Sequence, residues 1–358
     1  MANHGTFDKE RAKIFTHKVL EDMAGAVALH LCVIGDRLGL FKDLAANGPA
    51  EASKFAARNE VDERYAREWL EGLAAAGYLE FDEDSTKFFL PPEHTRPLAE
   101  ESHPLYQGNL RNLLAYSMGP IDDLTDAFKN GGGVHQSAFP NEFYATMQCS
   151  SGVRYENFLL GTWLPEMPDV VAKLERGVDV ADVGCGQGTA LTLMAKAFPN
   201  SRFWGYDAFA PQIEGAIENS KARGIGTNGS FEVLDGSGEL PRDFDVIFTF
   251  DVIHDMARPR EGLANIQRHL RPGGIYVLQE ISAADERHEN RGAVATIKYG
   301  MSMTYCMTTS LAHDGEGLGT LGMSEKVARE LCSEAGFSML RKLDCSNDFI
   351  SLFEVRAS

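Results

Sequence analysis

Five short apolar runs lie between residues 178 and 280, and helical patterns separate the early ones. They fall at Val178–Val183, Arg202–Tyr206, Phe231–Leu234, Asp245–Phe250 and Ile275–Glu280. No other feature limits the possible folds as strongly. Strands joined through helices run parallel, and a parallel sheet needs cover on both faces. The end of the chain departs from this pattern. In "SMLRKLDCSNDFISLFEV" two strands meet at a polar turn, which predicts an antiparallel hairpin.

The 358 residues allow one large or two ordinary domains. The first hundred read as short helices closed by a hairpin. "AGAVALHLCVIGDRLGLFKDL" carries apolar residues at helical spacing, with Gly35 and Gly39 as expected breaks. "DERYAREWLEGLAAAGYLEF" predicts a second amphipathic helix with Tyr65, Trp69 and Leu73 on one face and Gly77 at its end. "GYLEFDEDSTKFFLPP" then reads as strand, acidic turn, strand. Helices followed by a β wing resemble a winged-helix domain. Three segments are expected: a winged-helix-like dimerisation domain over 1–105, a helical linker and substrate lid over 106–170, and the α/β domain over 171–358. The stretch Ala24 to Leu44 is too apolar to leave open to water on a small domain, so a homodimer is expected.

Hydrophobic residues make up 44% and charged residues 24%, the balance of a soluble globular protein. The formal net charge is -18, which repels phosphate backbones and anionic lipid heads. Neither nucleic acid nor membrane is an expected partner. Six cysteines are scattered without a Cys-x-x-Cys pair, so no metal is expected. The polar start lacks the apolar core of a signal peptide, and no apolar run reaches the ~18 residues of a membrane span. The expected location is cytoplasmic.

"VDVADVGCGQGTALTLMAKAFP" carries the strongest chemical signal: a strand runs into Gly184-Cys185-Gly186-Gln187-Gly188, and a helix follows. Glycines there allow a tight turn and let a ligand lie against the backbone. A dinucleotide fingerprint would be G-x-G-x-x-G; here the third glycine comes one place early and Thr189 takes its position. Asp207 ends the next run, nineteen residues past Gly188, where a carboxylate accepts ribose hydroxyls.

These residues resemble class I S-adenosylmethionine-dependent methyltransferases over roughly residues 171 to 358. The resemblance implies an α/β fold: a Rossmann-like seven-stranded sheet ending in an antiparallel hairpin, preceded by a mainly helical winged-helix domain. It implies S-adenosylmethionine as cofactor, S-adenosylhomocysteine as product and no metal. Asp182 matches the acid that sits near the methionine amino group in the family. Gly184, Cys185, Gly186 and Gly188 form the loop, and Asp207 with Ala208 takes the ribose. Asp235 and Gly236, in "VLDGSGELP", adjoin the adenine. Phe250 and Asp251, at the end of the fourth strand, lie beside the sulfonium methyl.

The stretch "FTFDVIHDM" then presents His254-Asp255 at that strand end. The pair is similar to the His-Asp of plant and bacterial small-molecule O-methyltransferases, where the histidine is a general base. A flanking glutamate of the family corresponds to Glu280 in "VLQEI". The implied catalytic set is therefore His254, Asp255 and Glu280. Two positions depart from the plant pattern: Met256 replaces a tryptophan, and Gly322 stands where a second glutamate would be. The chain also resembles bacterial winged-helix methyltransferases of unassigned substrate that keep "IHD". The residues by themselves leave a second reading open, a structural histidine whose neighbour Asp255 caps a helix.

Two segments are candidates to cover the methyl group. Asn141 to Trp163 offers Tyr144 and Met147. "IKYGMSMTYCMTTSLAHDGEGLG" offers Tyr299, Met303 and Cys306, with Lys298, Met301, Tyr305, Met307 and His313 beside them. A methionine-rich surface adapts to irregular apolar ligands, and the same methionines also suit a core. The expected activity is methyl transfer to a small-molecule hydroxyl. The alternatives are methylation of a small thiol or thioether and, more remotely, a cofactor-sensing winged helix that reads DNA. The candidate reading helix opposes Arg64 and Arg67 with Asp62, Glu63, Glu68, Glu71 and Glu80, which argues against DNA.

Overall fold

The structure is a computed structural model that describes residues 6–225 and 227–357. The chain divides into two units, residues 1–115 and 116–358.

In the first unit a helix runs from Lys9 to Leu38. Asp8 caps it by accepting from the Glu10 and Arg11 N–H groups, and Gly39 ends it with φ 69°. Gly35 does not break this helix, contrary to expectation. A Cβ there would meet Trp69 at 2.5 Å and Phe41 at 2.9 Å, so the glycine serves close packing instead. The helix Glu63–Ala75 buries Trp69 and Leu73, whereas Tyr65 in its first turn is 80% exposed. The wing is a pair of short antiparallel strands, β1 (Glu80–Asp82) and β2 (Lys87–Phe89).

The second unit is built on a seven-stranded sheet. Its strands are β3 (Asp179–Val183), β4 (Arg202–Asp207), β5 (Gly229–Val233), β6 (Phe244–Phe250), β7 (Leu270–Ile281), β8 (Phe337–Lys342) and β9 (Ile350–Ala357). The order is β5-β4-β3-β6-β7-β9-β8. The first five strands pair in parallel, and β9 pairs antiparallel with both β7 and β8. The expected sheet with its terminal hairpin is the one observed. Two apolar layers cover it: Val246, Phe248 and Val277 face one side, Ile247, Tyr276 and Leu278 the other. Because both faces are covered, polar chemistry is confined to the strand ends. The registers Val183↔Tyr206 and Phe250↔Gln279 place the ends of β3 and β4, and those of β6 and β7, side by side.

Candidate functional site

The turn after β3 is held by backbone bonds. The N–H groups of Gly184 and Cys185 both donate to the Tyr206 carbonyl, at 2.7 and 2.9 Å. Gly184, Gly186 and Gly188 all have positive φ, the region that favours glycine. Their surroundings differ. A Cβ on Gly184 would meet Val252 at 2.5 Å and one on Gly188 would meet Phe231 at 2.5 Å, while one on Gly186 meets nothing within 4 Å. Only the middle glycine leaves open room for a ligand against its backbone.

Asp182 stands below this loop, 1% exposed, and its Oδ1 has no hydrogen-bond partner. Burial, reinforced by the Asp207 carboxylate, pushes its carboxyl up to about 8. A buried orphan acid of this kind favours a cationic partner. Asp207 accepts from the Gly186 N–H at 3.0 Å and the Phe209 N–H at 2.9 Å. Burial raises its carboxyl, and those two bonds oppose the rise. A carboxylate has about four acceptor sites, so capacity for ribose hydroxyls remains. Cys185 is a thiol held well above its ordinary value by burial and then by Asp182, which makes it a small neutral lining residue.

Other expected cofactor contacts are placed less uniformly. Ala208 is exposed on the loop after β4. Asp235 is also exposed, where it accepts from Ser237 and from Arg258. Gly236 is buried, and a Cβ there would meet Val183 at 2.5 Å. Phe250 turns its ring into the core against Phe248, Tyr155 and Trp163, so its side chain offers little surface to a ligand. These contacts fit a ligand with a cationic end over Asp182 and a sugar at Asp207.

At the end of β6 the backbone turns sharply at Asp251, a non-glycine with φ 57°. Its carboxylate accepts from Gln279 Nε2 at 2.6 Å and pairs with Arg154 at 2.7 Å. The turn delivers His254, which is 2% exposed. Glu280 is fully buried and bridges the turn: one oxygen accepts from the Ile253 N–H at 2.9 Å and the other lies against His254 Nδ1. The opposite ring nitrogen, Nε2, faces Asp255 Oδ1 at 3.1 Å and the Cys306 thiol. Burial alone would lower the imidazole, but the carboxylates of Asp255 and Glu280 outweigh it and raise the ring well above its ordinary value. Burial also raises Glu280, and the facing His254 offsets part of that. Burial pushes the Cys306 thiol up to about 11, with Asp255 adding to it. Gly322, by contrast, has no room for a side chain: a Cβ would meet the Leu318 carbonyl oxygen at 2.3 Å.

The segment 292–311 is helical. It runs from the helix Gly292–Met301 through a π-helical stretch Ser302–Cys306 to the helix Met307–Leu311. π-helical turns are frequent at functional sites, and this one presents Tyr305 and Cys306 inward. Tyr305 packs with Phe139, Phe143 and Tyr144, and Tyr144 reaches Phe209 beyond Asp207. Met147 is half-buried on the same helix as Tyr144. Tyr299 and Met303 are each 46% exposed, on the outer face of the insertion, and do not join this cluster. The following loop is fastened to the base turn: the Gly319 N–H donates to the His254 carbonyl at 3.2 Å and the Glu316 N–H to Ala257 at 2.9 Å.

The sequence model of a methyltransferase domain matches residues 174–327. That methyltransferase-domain match spans strands β3 to β7 of the second unit. A model of the Rv2258c-like winged HTH domain matches residues 25–100, within the first unit. The fold is shared with solved methyltransferase structures. The solved structure of mitomycin 7-O-methyltransferase MmcR matches with a TM-score of 0.71 at 18% identity, over 98% of this chain and 100% of that one. Human N-acetylserotonin methyltransferase, solved in complex with S-adenosylmethionine, matches with a TM-score of 0.66 at 18% identity, over 100% of both chains. At that identity the likeness is one of fold. The ubiquinone biosynthesis O-methyltransferase of Schizosaccharomyces pombe is 31% identical over 109 residues, 30% of this chain and 39% of that protein. The chain thus matches under half the length of its curated relatives.

Several contacts of the site had no sequence signal. Arg154 sits in the polar run "SSGVRYENF", and nothing in its spacing points to Asp251, 97 residues away. Gln279 precedes Glu280 and holds the other oxygen of Asp251. Thr320 donates to the Cys306 sulfur at 3.0 Å from an apparently featureless glycine-rich loop.

Proposed function

We propose that this chain transfers a methyl group from S-adenosylmethionine to a hydroxyl oxygen of a small molecule, with His254 as general base. The observation that carries the reading is the buried Glu280–His254 pair at the carboxyl end of β6, next to the glycine turn after β3. When bound, the cofactor supplies a methyl carbon activated by its sulfonium. Asp182 would hold its ammonium end and Asp207 its ribose. Glu280 fixes the ring with Nδ1 inward, so Nε2 is the atom that receives the acceptor's proton. A phenol has a pKa of ~10 and is protonated at neutral pH, so attack by oxygen gains from a base placed there. Phe143, Tyr144 and Tyr305 suit an aromatic or otherwise flat acceptor.

A thiol acceptor is the second reading, favoured by Gly322. No second carboxylate can stand there, and a thiol, with a pKa of ~8.5, needs less help. DNA reading is disfavoured, because Arg64 and Arg67 are paired with Glu68 and Glu63 of their own helix.

The first unit is read as a dimer interface. Leu20, Met23, Val27, Ile34 and Leu38 are exposed at helical spacing along one helix. A reducing cytoplasmic setting agrees with six cysteines that are all free among the described residues. The segments 1–105, 106–170 and 171–358 remain the proposed functional division into dimerisation, lid and transfer.

The test is incubation of the full chain with labelled cofactor and a panel of phenols, carboxylates and thiols. Label on a phenolic oxygen supports the first reading; label on thiols alone replaces it with the second; no cofactor binding rejects both. Light scattering of the full chain checks the dimer, and a monomer rejects it.

A further inference from the structure

We propose that His254, Asp255 and Cys306 form a binding site for a zinc-class divalent cation, and that the bound cation switches the base off. The inference deepens the reading of His254 as base and rests on it for the switching step alone. Nε2 of His254, a carboxylate oxygen of Asp255 and the Cys306 sulfur all lie within 4.8 Å of one another. One nitrogen, one oxygen and one sulfur donor are the ligand types that zinc takes. Three protein ligands and one remaining position are the arrangement of an open zinc site. Ligands around a tetrahedral zinc stand about 3.5 Å apart, so side-chain rotation of roughly 1 Å closes the triangle.

Two further observations point to a cation. The Asp255 Oδ1 atom is buried, with no partner beyond the triangle itself: it faces His254 Nε2 at 3.1 Å, and the carboxyl also contacts the Cys306 thiol. A buried carboxylate is either paired or coordinates a metal, and here its partners are the two other donors of the triangle. The outer contacts are also those of a metal centre. Glu280 engages Nδ1, which fixes the tautomer and leaves Nε2 for the cation; a carboxylate is one of the usual partners behind a metal-bound histidine. Thr320 donates to the Cys306 sulfur at 3.0 Å, a bond that supports a thiolate. The π-helical stretch Ser302–Cys306 is the backbone feature that turns this sulfur toward the histidine.

The balance of the binding step is simple. Cys306 and the protonated His254 ring each lose a proton to solvent, the sulfur and Nε2 then give lone pairs to the cation, and no redox partner is needed. The lone pair given by Nε2 is the one that would accept the acceptor's proton. Occupancy and base catalysis are therefore mutually exclusive.

The experiment uses the full chain, stripped with chelator, and cobalt(II) or zinc(II) as the probe. One equivalent of cobalt is expected to give a thiolate-to-cobalt absorption band, which added zinc displaces. The band should vanish in Cys306→Ser and persist in Cys345→Ser, with folding of each checked by circular dichroism. Glu280→Gln should keep the band but weaken cobalt affinity ~10- to 100-fold, the cost typical of losing such an outer partner. If Cys306→Ser does not fold, loss of the band in Asp255→Asn serves in its place. No band, or a band unchanged in the Cys306 and Asp255 variants, overturns the site. Cofactor binding measured in parallel separates the failures: normal cofactor binding without cobalt binding rejects this inference alone. Cobalt binding that leaves hydroxyl methylation unchanged rejects the switching step.

Discussion

After β3, five consecutive residues, Gly184 to Gly188, make the turn; the N–H groups of its first three bond to β4, and Asn219 donates to the Gln187 carbonyl. After β6, the turn that carries His254 depends on Arg154, Gln279, Glu280, Cys306 and Gly319, drawn from four segments of the chain. The first turn keeps an orphan acid and an open glycine. The second is closed on itself, with both ring nitrogens of its histidine engaged by neighbouring side chains. A locally built turn holds its geometry through backbone constraint. An assembled one holds it through ion pairs and burial, and so responds to protonation and to distant substitutions.

The largest expected effect tests whether the assembled turn performs the chemistry. His254→Ala should lower kcat/KM for a hydroxyl acceptor by ~10²–10⁴, with cofactor binding unchanged. For a thiol acceptor the loss should be smaller and should shrink as pH rises. An unchanged rate would leave the histidine a structural part, and the two turns would no longer differ in kind.

Next comes Asp182. Its carboxyl is pushed up to about 8, so at pH 6 it is largely protonated in the free protein. A cationic ligand favours the ionised form, and binding below that value must therefore release a proton. Cofactor affinity should rise with pH by up to about tenfold per unit, then level above pH 8. Asp182→Asn should flatten the curve. Calorimetry in buffers of different ionisation heat measures the released proton directly; its absence would mean that Asp182 does not face the cation.

A smaller shift should appear in the pH–rate profile. His254 is raised above its ordinary value by two carboxylates, so the rate with a hydroxyl acceptor should climb through a limb on the alkaline side of ~6.5. Glu280→Gln removes one of those carboxylates and should move the limb to lower pH. A limb that stays in place would assign it to another group.

The smallest effect separates the glycines of the local turn. Gly188→Ala meets Phe231 and should cost ~1–3 kcal/mol of overpacking in addition to left-handed strain. Gly186→Ala bears only the strain, ~1–2 kcal/mol, and should lose cofactor affinity more than melting temperature. Thermal unfolding alongside calorimetry distinguishes the two.

The same contrast explains what could be read from the chain. The sheet, its hairpin and the turn after β3 follow from period, glycine placement and the acids at strand ends, all of which are local. Glu280 and His254 were legible through the family resemblance, since nothing within "VLQEI" says where its glutamate points. Arg154 and Thr320 were not legible, because their roles exist only after the insertion and the helix Asn141–Arg154 have packed. Gly35 was misread for a related reason: a glycine in a helix looks like a break until Trp69 arrives against it. Tyr299 and Met303 were placed by composition, whereas the π-helical turn sets which residues of the insertion face inward.

Gly322 has a consequence for redesign. Its missing side chain is enforced by the Leu318 carbonyl, so a glutamate cannot be installed there by one codon change; the turn at 318–322 would have to be rebuilt first. The base is open to retuning through Cys306, Asp255 and Glu280, whereas a two-glutamate frame is closed to a single substitution. Engineers who graft that frame onto this scaffold should expect to replace the loop before the residue.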